Sequence, residues 1–338
     1  MSAIAAEASG ETPRPHRLRA FGDAAGIAAV ALAGILAALA FPDDLALLTR
    51  IVGMAFLVLA LDLVTGVCGV ATLGHAALYG VAAYGAGYAS ARLGIRDPLL
   101  LVAIGAGLGA FTGLAAGAII LRASGLPQLV LSIATVQLVH EGANKFSGVT
   151  GGSDGLSGIE IGPLLGLFAF DLWGRTAYWF SLTLLLVTLL VLRRVVASPF
   201  GLLCRGLRQD PVRVRAMGAP AYPALLRMYV VSGLVAGIGG ALTAVTAGVV
   251  GLDSVSFERS AQALVMLTLG GAGTLYGALA GTAVFAGFEH IVSAANPFHW
   301  LATVGALLIA VVLFVPKGLQ GLPAWLLGRL RGIGWTRP

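Results

Sequence analysis

The chain has little charge and almost no lysine. Asp, Glu, Lys and Arg make up 11% of its 338 residues, whereas a soluble domain carries about 25%. A surface with so few charges cannot all face water, which excludes an ordinary soluble domain. Lysine occurs only at Lys145 and Lys317, and neither completes the phosphate-binding pattern G-x-x-x-x-G-K-[ST]. We therefore expect the chain to bind no ATP in the P-loop manner and no cofactor of its own.

Cysteine is also scarce. Cys68 lies in an apolar segment and Cys204 lies among arginines, so we expect neither a disulfide nor a metal site. The sequence contains neither a nucleophile elbow nor a zinc-binding helix with two histidines. Its net charge of +6 belongs to no soluble module, so nucleic-acid binding is not expected. These absences favour a protein that is not an enzyme.

Apolar residues and glycine are abundant instead. The chain is 58% hydrophobic and contains 48 glycines, about twice the usual share of roughly 7%. Small residues let helices pack closely in lipid. The composition predicts an all-α polytopic transmembrane bundle of about 8–10 spans, some of them broken or re-entrant. We expect spans at 24–41, 51–67, 75–91, 98–121, 126–141, 176–192, 228–250, 260–293 and 299–315.

The arginines predict the orientation of these spans, because cytoplasmic loops carry an excess of basic residues. The connection 193–227 contains seven arginines and one acid, and we expect it on the cytoplasmic side. The basic tails 1–22 and 323–338 are expected there too, on either side of a permease domain at 23–322. The segment 141–175 is acidic and is predicted to be external. Arg92 and Arg96 fall on the outer side in this arrangement, which is a mild disagreement with it.

Two glycine-rich stretches predict interrupted helices. "GVATLGHAALYG" (69–80) and "GGAGTLYGALAG" (270–281) share the order G-x-x-T-L, which indicates either an internal repeat or a chance match. The orientation also requires segment 258–297 to leave the outer side and return to it, as a half-length helix, a break and a returning helix. Glycine-interrupted segments in two halves of a chain are typical of a transport pathway.

Polar residues inside the apolar segments are candidates for that pathway. Asp62 could line a solute route, cap a broken helix or lie hydrated near a span end. His75 could contact solute or be a structural, hydrogen-bonded histidine. Gln137, Glu141 and Asn144 share one helical face, which could line a cavity or pair with another helix. The predicted pathway residues are Asp62, Gly69, Thr72, Gly74, His75, Tyr79, Gln137 and Glu141.

Two connections have their own motifs. "TGGSDGLSG" (150–158) is a flexible loop that could be an external gate or partner contact, or only a turn; its candidate residues are Thr150, Gly151, Gly152, Ser153 and Asp154. "ASPFGLLCRGLRQDPVRVRAMGAP" (197–220), here called the coupling segment, predicts two short basic helices. They could lie on anionic lipid or dock into a protein groove, and we favour docking. The candidate docking residues are Ser198, Pro199, Gly201, Arg205, Arg208, Asp210, Ala216 and Gly218.

Five stretches in these regions resemble the permease subunits of branched-chain amino-acid ABC importers, the LivM type. They occur in the order of that family across roughly residues 55–322. The matching stretches are "GVCGVATLGHAALYGVAAYGAGY", "TGGSDGLSGI", "SPFGLLCRGLRQDPVRVRAMGAP", "LVMLTLGGAGTLYGALAG" and "FVPKGLQGL". Departures from the family pattern occur at Asp62, Thr72, Leu203 and Pro211.

The resemblance implies a membrane half-channel in a bacterial-type plasma (inner) membrane, with both termini cytoplasmic. Its partners would be a second permease subunit, two cytoplasmic ATPase subunits that use the ATP, an external solute-binding protein and membrane lipid. The coupling segment would seat in an ATPase groove. Asp62 also resembles the related urea permeases, so a urea or short-amide permease is the alternative. A proton-coupled secondary transporter with Asp62 and Glu141 as the titrating pair, and a passive channel, are alternatives from other classes.

Overall fold

The computed structural model describes residues 16–164, 166, 168, 170–171, 174–295 and 305. These residues form α-helices joined by short connections, and they contain two isolated β-bridges. The helices are α1 (His16–Ala40), α2 (Leu45–Leu61), α3 (His75–Ala91), α4 (Pro98–Ile120), α5 (Leu126–Lys145), α6 (Ser147–Thr150), α7 (Arg175–Ala197), α8 (Pro199–Gln209), α9 (Pro211–Ala216), α10 (Ala221–Ala247), α11 (Phe257–Gly270) and α12 (Leu275–Ala295). The predicted all-α class is confirmed.

Five of the described helices are long and apolar enough to cross a membrane. They are α2 with its continuation to Val67, α4, α7, α10 and the stretch Leu275–Ser293 of α12. By contrast, α3 has 17 residues and α11 has 14. Their lengths of about 25 and about 21 Å fall short of a hydrocarbon core of about 30 Å. The bundle is therefore polytopic and contains shortened helices, as the glycine-rich stretches predict.

Several helices begin earlier than the predicted spans. The first helix begins at His16 and so overlaps the predicted tail 1–22. Helix α2 begins at Leu45, directly after Asp43 and Asp44, whereas the predicted span began at 51. Within 260–293 the structure has two helices, α11 and α12, as predicted for the interrupted segment 258–297. The predicted last span at 299–315 and the tail 323–338 lie outside the described residues, except for residue 305.

The centre of the bundle is the contact of α10 with α4, α3 and α2. Glycines allow these backbones to touch. A Cβ atom added to Gly109 would lie 2.2 Å from the carbonyl oxygen of Gly233, and one added to Gly240 would lie 2.1 Å from that of Tyr79. This is the close approach that small residues permit between membrane helices. It brings α3, which begins within the first glycine-rich stretch, into the middle of the protein.

Helices α11 and α12 form a hairpin. A Cβ atom on Gly270 would lie 1.9 Å from the carbonyl oxygen of Gly277, and one on Gly281 would lie 2.1 Å from that of Met266. At the open end of the hairpin, the Arg259 guanidinium in α11 contacts Met54 Sδ at 3.4 Å. Met54 also lines a small cavity together with Glu289 of α12. Both ends of the hairpin therefore lie beside the same part of α2. Helix α11, the break and α12 have the predicted order of a half-length helix, a break and a returning helix.

The coupling segment folds as its caps predict. The Ser198 hydroxyl accepts a hydrogen bond from the Gly201 N–H at the start of α8 (3.3 Å). The Asp210 carboxylate accepts bonds from the N–H groups of Val212 and Arg213 (3.1 and 2.9 Å) at the start of α9. Pro199 and Pro211 occupy the first turns, where no N–H is needed. Gly218 has φ +80°, a left-handed conformation that ends the second helix.

Candidate functional site

Two interruptions of the helical backbone meet at one place in the protein. The first break (68–74) separates the π-helix Asp62–Val67, which continues α2, from α3; the second break (271–274) separates α11 from α12. The Gly273 N–H in the second break donates to Asp62 Oδ1 at 2.6 Å. A Cβ atom on Gly66 would lie only 2.4 Å from the same nitrogen. The second break is thus in direct contact with the π-helix that leads into the first break, although Asp62 and Gly273 are 211 residues apart in the chain.

Asp62, at the start of the π-helix that continues α2, holds the second break. Its side chain is fully buried (0% exposed) in a π-helical turn, a distortion that is frequent at functional sites. Oδ1 accepts from Gly273, and Oδ2 has no hydrogen-bond partner among the described residues. Of the roles predicted for Asp62, the geometry agrees with the cap on a broken helix, but the interrupted helix is that of the α11–α12 hairpin.

The first break is held by hydroxyl groups from several helices. The Leu73 N–H donates to Ser132 Oγ of α5, and the Ala76 N–H donates to Ser260 Oγ of α11, both at 3.0 Å. The Gly74 N–H donates to Thr72 Oγ1 at 3.1 Å, and this hydroxyl also bonds Tyr229 at 2.9 Å. Three backbone N–H groups at the end of the break and the start of α3 thus donate to side-chain hydroxyls, as a buried backbone outside a regular helix requires.

His75 begins α3 and is buried (1% exposed). Its Nε2 lies 2.7 Å from Ser232 Oγ, and Ser232 in turn donates to the Ala60 carbonyl at 2.7 Å. Because the single Ser232 proton is directed to Ala60, His75 Nε2 carries the proton that joins the two side chains. This chain links α3, α10 and α2. The geometry agrees with the structural role among those considered for His75.

Ser132, Tyr229, Ser232 and Ser260 were not predicted as site residues. They lie on three different helices, and none of them belongs to a motif that connects it to the breaks. Their common signal is an isolated hydroxyl in a membrane segment, which needs a partner there. Tyr79, which was predicted, follows the same rule because its hydroxyl bonds Thr243 Oγ1 at 2.5 Å.

Gln137 and Glu141 lie away from the two breaks. Both are exposed on one face of α5 together with Asn144, so the predicted shared face exists. That face is not covered by the described residues. Asp62 and Glu141 form neither a hydrogen bond nor an ion pair among those residues, since Asp62 is buried against Gly273. Thus the structure places the eight predicted pathway residues in two groups.

The predicted outer loop is an ordered turn. The Thr150 hydroxyl donates to the carbonyls of Ala143 and Phe146 and accepts from the Gly152 N–H at 3.3 Å. Gly151 and Gly152 have φ +77° and +59°, which non-glycine residues rarely adopt. Ser153 and Asp154 are exposed at its tip. The turn is a fixed feature next to the end of α5.

Several apolar side chains of the coupling segment are exposed on the surface of the chain. Leu202, Val212 and Met217 are 60%, 73% and 72% exposed. Exposed basic residues accompany them, and Arg205 bonds the Val196 carbonyl at the end of α7. Of the other predicted residues, Gly201 is buried, and Ala216 and Gly218 are exposed. Large exposed apolar residues on short helices are typical of a docking surface.

Arg208 differs from the other predicted docking residues. Its Nη1 donates to the Gly66 carbonyl oxygen, and its aliphatic carbons cover Gly69 of the first break. Gly69 has φ +75°, and a Cβ atom there would lie 2.7 Å from Arg208 Cγ. The coupling segment is therefore in contact with the place where the two breaks meet.

A cavity of about 670 Å³ lies elsewhere, between α1, α2, α7 and α12. Its lining is almost entirely aliphatic or aromatic, including Val30, Leu48, Leu182 and Tyr276. Asp62, Thr72 and His75 are not part of that lining. The polar network around the breaks and the large apolar cavity are therefore separate features.

Comparison with known proteins agrees with these features. A family model described as branched-chain amino acid transport system / permease component matches residues 45–315. The high-affinity branched-chain amino acid transport system permease protein LivM of Escherichia coli (strain K12) is 26% identical over 297 residues, which are 82% of this chain and 69% of that relative. The protein of the same name from Salmonella typhimurium (strain LT2) is 25% identical over the same shares. No solved structure matches.

The matched region begins at the first residue of α2 and includes both breaks and the coupling segment. It covers well over half of the chain. The five long apolar helices agree with a multi-pass membrane protein. The chain belongs to the family of branched-chain amino acid transport permease components, and it is a permease subunit of the ABC importer type.

Proposed function

We propose that this permease carries branched-chain or related amino acids into the cell and is driven by ATP that separate subunits hydrolyse. The observation that carries the proposal is the docking surface of the coupling segment, which touches the junction of two interrupted helices through Arg208. One contact thus joins a surface for a separate partner protein to an interrupted part of the membrane backbone. This arrangement suits a membrane subunit that receives its energy from another protein.

The chain itself binds no ATP and no cofactor in this proposal. Its partners are two cytoplasmic ATPase subunits, a second permease subunit, an external solute-binding protein and membrane lipid. The exposed apolar residues of α8 and α9, with Arg205 and Arg215 beside them, fit a groove with an apolar floor and an acidic rim. Both termini and the coupling segment are cytoplasmic, and the turn at Thr150–Asp154 faces the solute-binding protein.

The solute route passes beside the two breaks. Residues Gly69 and Ala71 of the first break and Ala272 and Thr274 of the second are exposed in the isolated chain. Non-helical backbone at membrane depth is tolerated where protein covers it or where it lines a wet cavity. The second permease subunit would complete such a cavity. Gln137 and Glu141 form a second polar surface on α5, which needs a polar partner or water in the membrane.

Purified transporter in proteoliposomes tests this function. We expect uptake of labelled leucine to require ATP and the ATPase subunits and to persist when an uncoupler dissipates the proton gradient. Uptake that stops with the uncoupler at constant ATP would establish the proton-coupled alternative. Uptake without ATP that never exceeds equilibrium would establish a passive channel.

Competition in the same assay tests the solute. We expect unlabelled valine and isoleucine to reduce leucine uptake and urea to leave it unchanged. Inhibition by urea or short amides, together with failure of the branched-chain amino acids to compete, would overturn the amino-acid assignment. That outcome would leave the ATP-driven mechanism intact, since the ATP requirement is measured independently.

A further inference from the structure

Arg208 donates a hydrogen bond to a carbonyl group that has lost its helical partner at the first break. In a continuous α-helix, the Gly66 carbonyl would accept from the N–H of residue 70. Here the Val70 N–H donates to the Val64 carbonyl instead, at 3.0 Å. The Arg208 guanidinium donates to the Gly66 oxygen in its place. A side chain of the coupling segment therefore completes the hydrogen bonding of a membrane helix.

The second break is held in a complementary way. The Gly273 N–H, which lies in the break and has no helical acceptor, donates to the Asp62 carboxylate at 2.6 Å. A Cβ atom on Gly273 would lie 2.6 Å from Arg208 Nη1 and 3.0 Å from the Gly66 oxygen. Within one small cluster, the Arg208 cation thus binds the Gly66 carbonyl and the Asp62 carboxylate binds the Gly273 N–H. Charge-assisted bonds of this kind are roughly twice as strong as neutral ones.

Arg205 shows that this contact is specific to Arg208. Arg205 lies three residues earlier on the same helix and is also exposed. Its guanidinium bonds the Val196 carbonyl, which belongs to the last turn of α7. It touches neither Gly66 nor Gly273 in the described contacts. Arg205 thus lies on the docking surface, whereas Arg208 reaches from that surface to the breaks.

We propose that Arg208 is a positioning residue that transmits movement of α8 to both helix breaks. Displacement of α8 by a docked partner moves the Gly66 carbonyl through the Arg208 guanidinium. The Asp62–Gly273 bond then moves the second break with the first, so the two breaks shift as one unit. This inference rests on the proposed function, because α8 is displaced only if an ATPase subunit binds it.

The first test replaces Arg208 by alanine in the complete transporter. We expect the ATPase subunits to remain attached and ATP hydrolysis to continue, while leucine uptake falls by about tenfold or more, a loss of about 1.4 kcal/mol in the coupled step. Arg122→Ala is the matched control: it removes an exposed arginine after α4, has no part in the cluster and should retain uptake. Unchanged uptake in the Arg208 variant, or loss of the ATPase subunits from it, would overturn the proposal.

A reporter on the second break separates transmission from simple destabilisation. Ala272 is exposed beside Gly273, and the native cysteines Cys68 and Cys204 are buried. In an Ala272→Cys background, we expect the rate of thiol labelling to change when ATP binds the complex. Arg208→Ala should abolish this change and Arg208→Lys should restore part of it, because lysine keeps the charge but loses the planar guanidinium. An unaltered ATP response in the Arg208→Ala protein would refute the transmission.

A double-mutant cycle tests whether Asp62 and Arg208 act as one unit. If they do, uptake in the Asp62→Ala, Arg208→Ala double variant will be close to that of the worse single variant. Losses that multiply would show independent roles and would refute the shared unit. Asp62→Asn keeps an oxygen acceptor for Gly273 and supplies a milder variant if Asp62→Ala does not fold. Wild-type transporter without ATP-dependent uptake would instead mean that the proposed function itself has failed.

Discussion

The two helix breaks lie in contact but are stabilised differently. In the first break, the backbone is held by hydroxyl groups from α5, α10 and α11, namely Ser132, Tyr229 through Thr72, and Ser260. In the second break, Asp62 binds the Gly273 N–H from outside the hairpin, and Thr274 bonds the Gly271 carbonyl within the break itself (2.9 Å). Just beyond this break, Arg193 of α7 bonds the Tyr276 hydroxyl at the start of α12. Among the described residues, the backbone of the first break is thus bound by hydroxyls from three helices, whereas the backbone of the second break is bound from outside by one carboxylate.

This difference indicates which of the two breaks would move more easily. A segment whose backbone has several buried hydrogen bonds to separate helices opens at a higher free-energy cost than one whose backbone has fewer. We therefore expect the second hairpin, α11–α12, to be the part that shifts and the first break to be its support. The following substitutions test whether the two breaks differ as described.

The largest effect is expected for Gly270→Ala at the second hairpin. A methyl group there would lie 1.9 Å from the Gly277 carbonyl oxygen, and backbone atoms on both sides cannot yield without separating α11 from α12. Overpacking of this kind costs about 1–3 kcal/mol, so we expect a clear fall in Tm of the detergent-solubilised protein. Gly287→Ala on α12, where nothing lies within 4 Å, is the control, and an equal fall in both would contradict the packing argument.

An intermediate effect is expected for Ser232→Ala beside the first break. The change leaves the His75 Nε2–H donor buried without its partner and also removes the bond to the Ala60 carbonyl. An unsatisfied buried donor costs about 1–3 kcal/mol, and thermal unfolding should show it. Thr183→Ala removes an exposed hydroxyl that bonds its own helix and should change Tm little. Similar Tm values for the two variants would show that the buried chain of bonds does not support the break.

The smallest effect is expected for Tyr229→Phe. This change keeps the packing of the ring and removes only the hydroxyl bond to Thr72. A single neutral hydrogen bond contributes about 0.5–1.5 kcal/mol, so Tm should fall slightly. The comparison is Tyr222→Phe, whose exposed hydroxyl bonds the Ala118 carbonyl at 3.1 Å. A larger loss in the Tyr222 variant would mean that the first break gains no support from α10.

Much of the fold could be predicted from local patterns. The sequence predicts apolar helices, glycine interruptions at both breaks, and the caps at Ser198 and Asp210, because each depends on neighbouring residues. Helix boundaries were less accurate, as at His16 and Leu45, since polar residues are tolerated inside membrane helices when neighbours cover them. The orientation and the composition of the complex remain predictions.

The candidate site could be predicted only in part. Asp62, Thr72 and His75 stand out as polar residues in an apolar stretch, but their partners are isolated hydroxyls and a backbone N–H elsewhere in the chain. No spacing rule connects Asp62 to Gly273, because a backbone donor carries no sequence signal. Arg208 was expected on the docking surface with Arg205, and only the fold shows that its guanidinium reaches Gly66.

Composition and local pattern alone determined that this chain is a helical membrane protein with two interrupted segments and a capped basic connection. Burial of apolar residues and the chemistry of helix ends depend on nearby residues, so the sequence contains that information directly. The tertiary structure decided that the two interruptions meet, that hydroxyls from distant helices hold one of them, and that Arg208 touches both. Those contacts arise from close helix packing, which joins residues far apart in the chain and is not encoded in any local stretch.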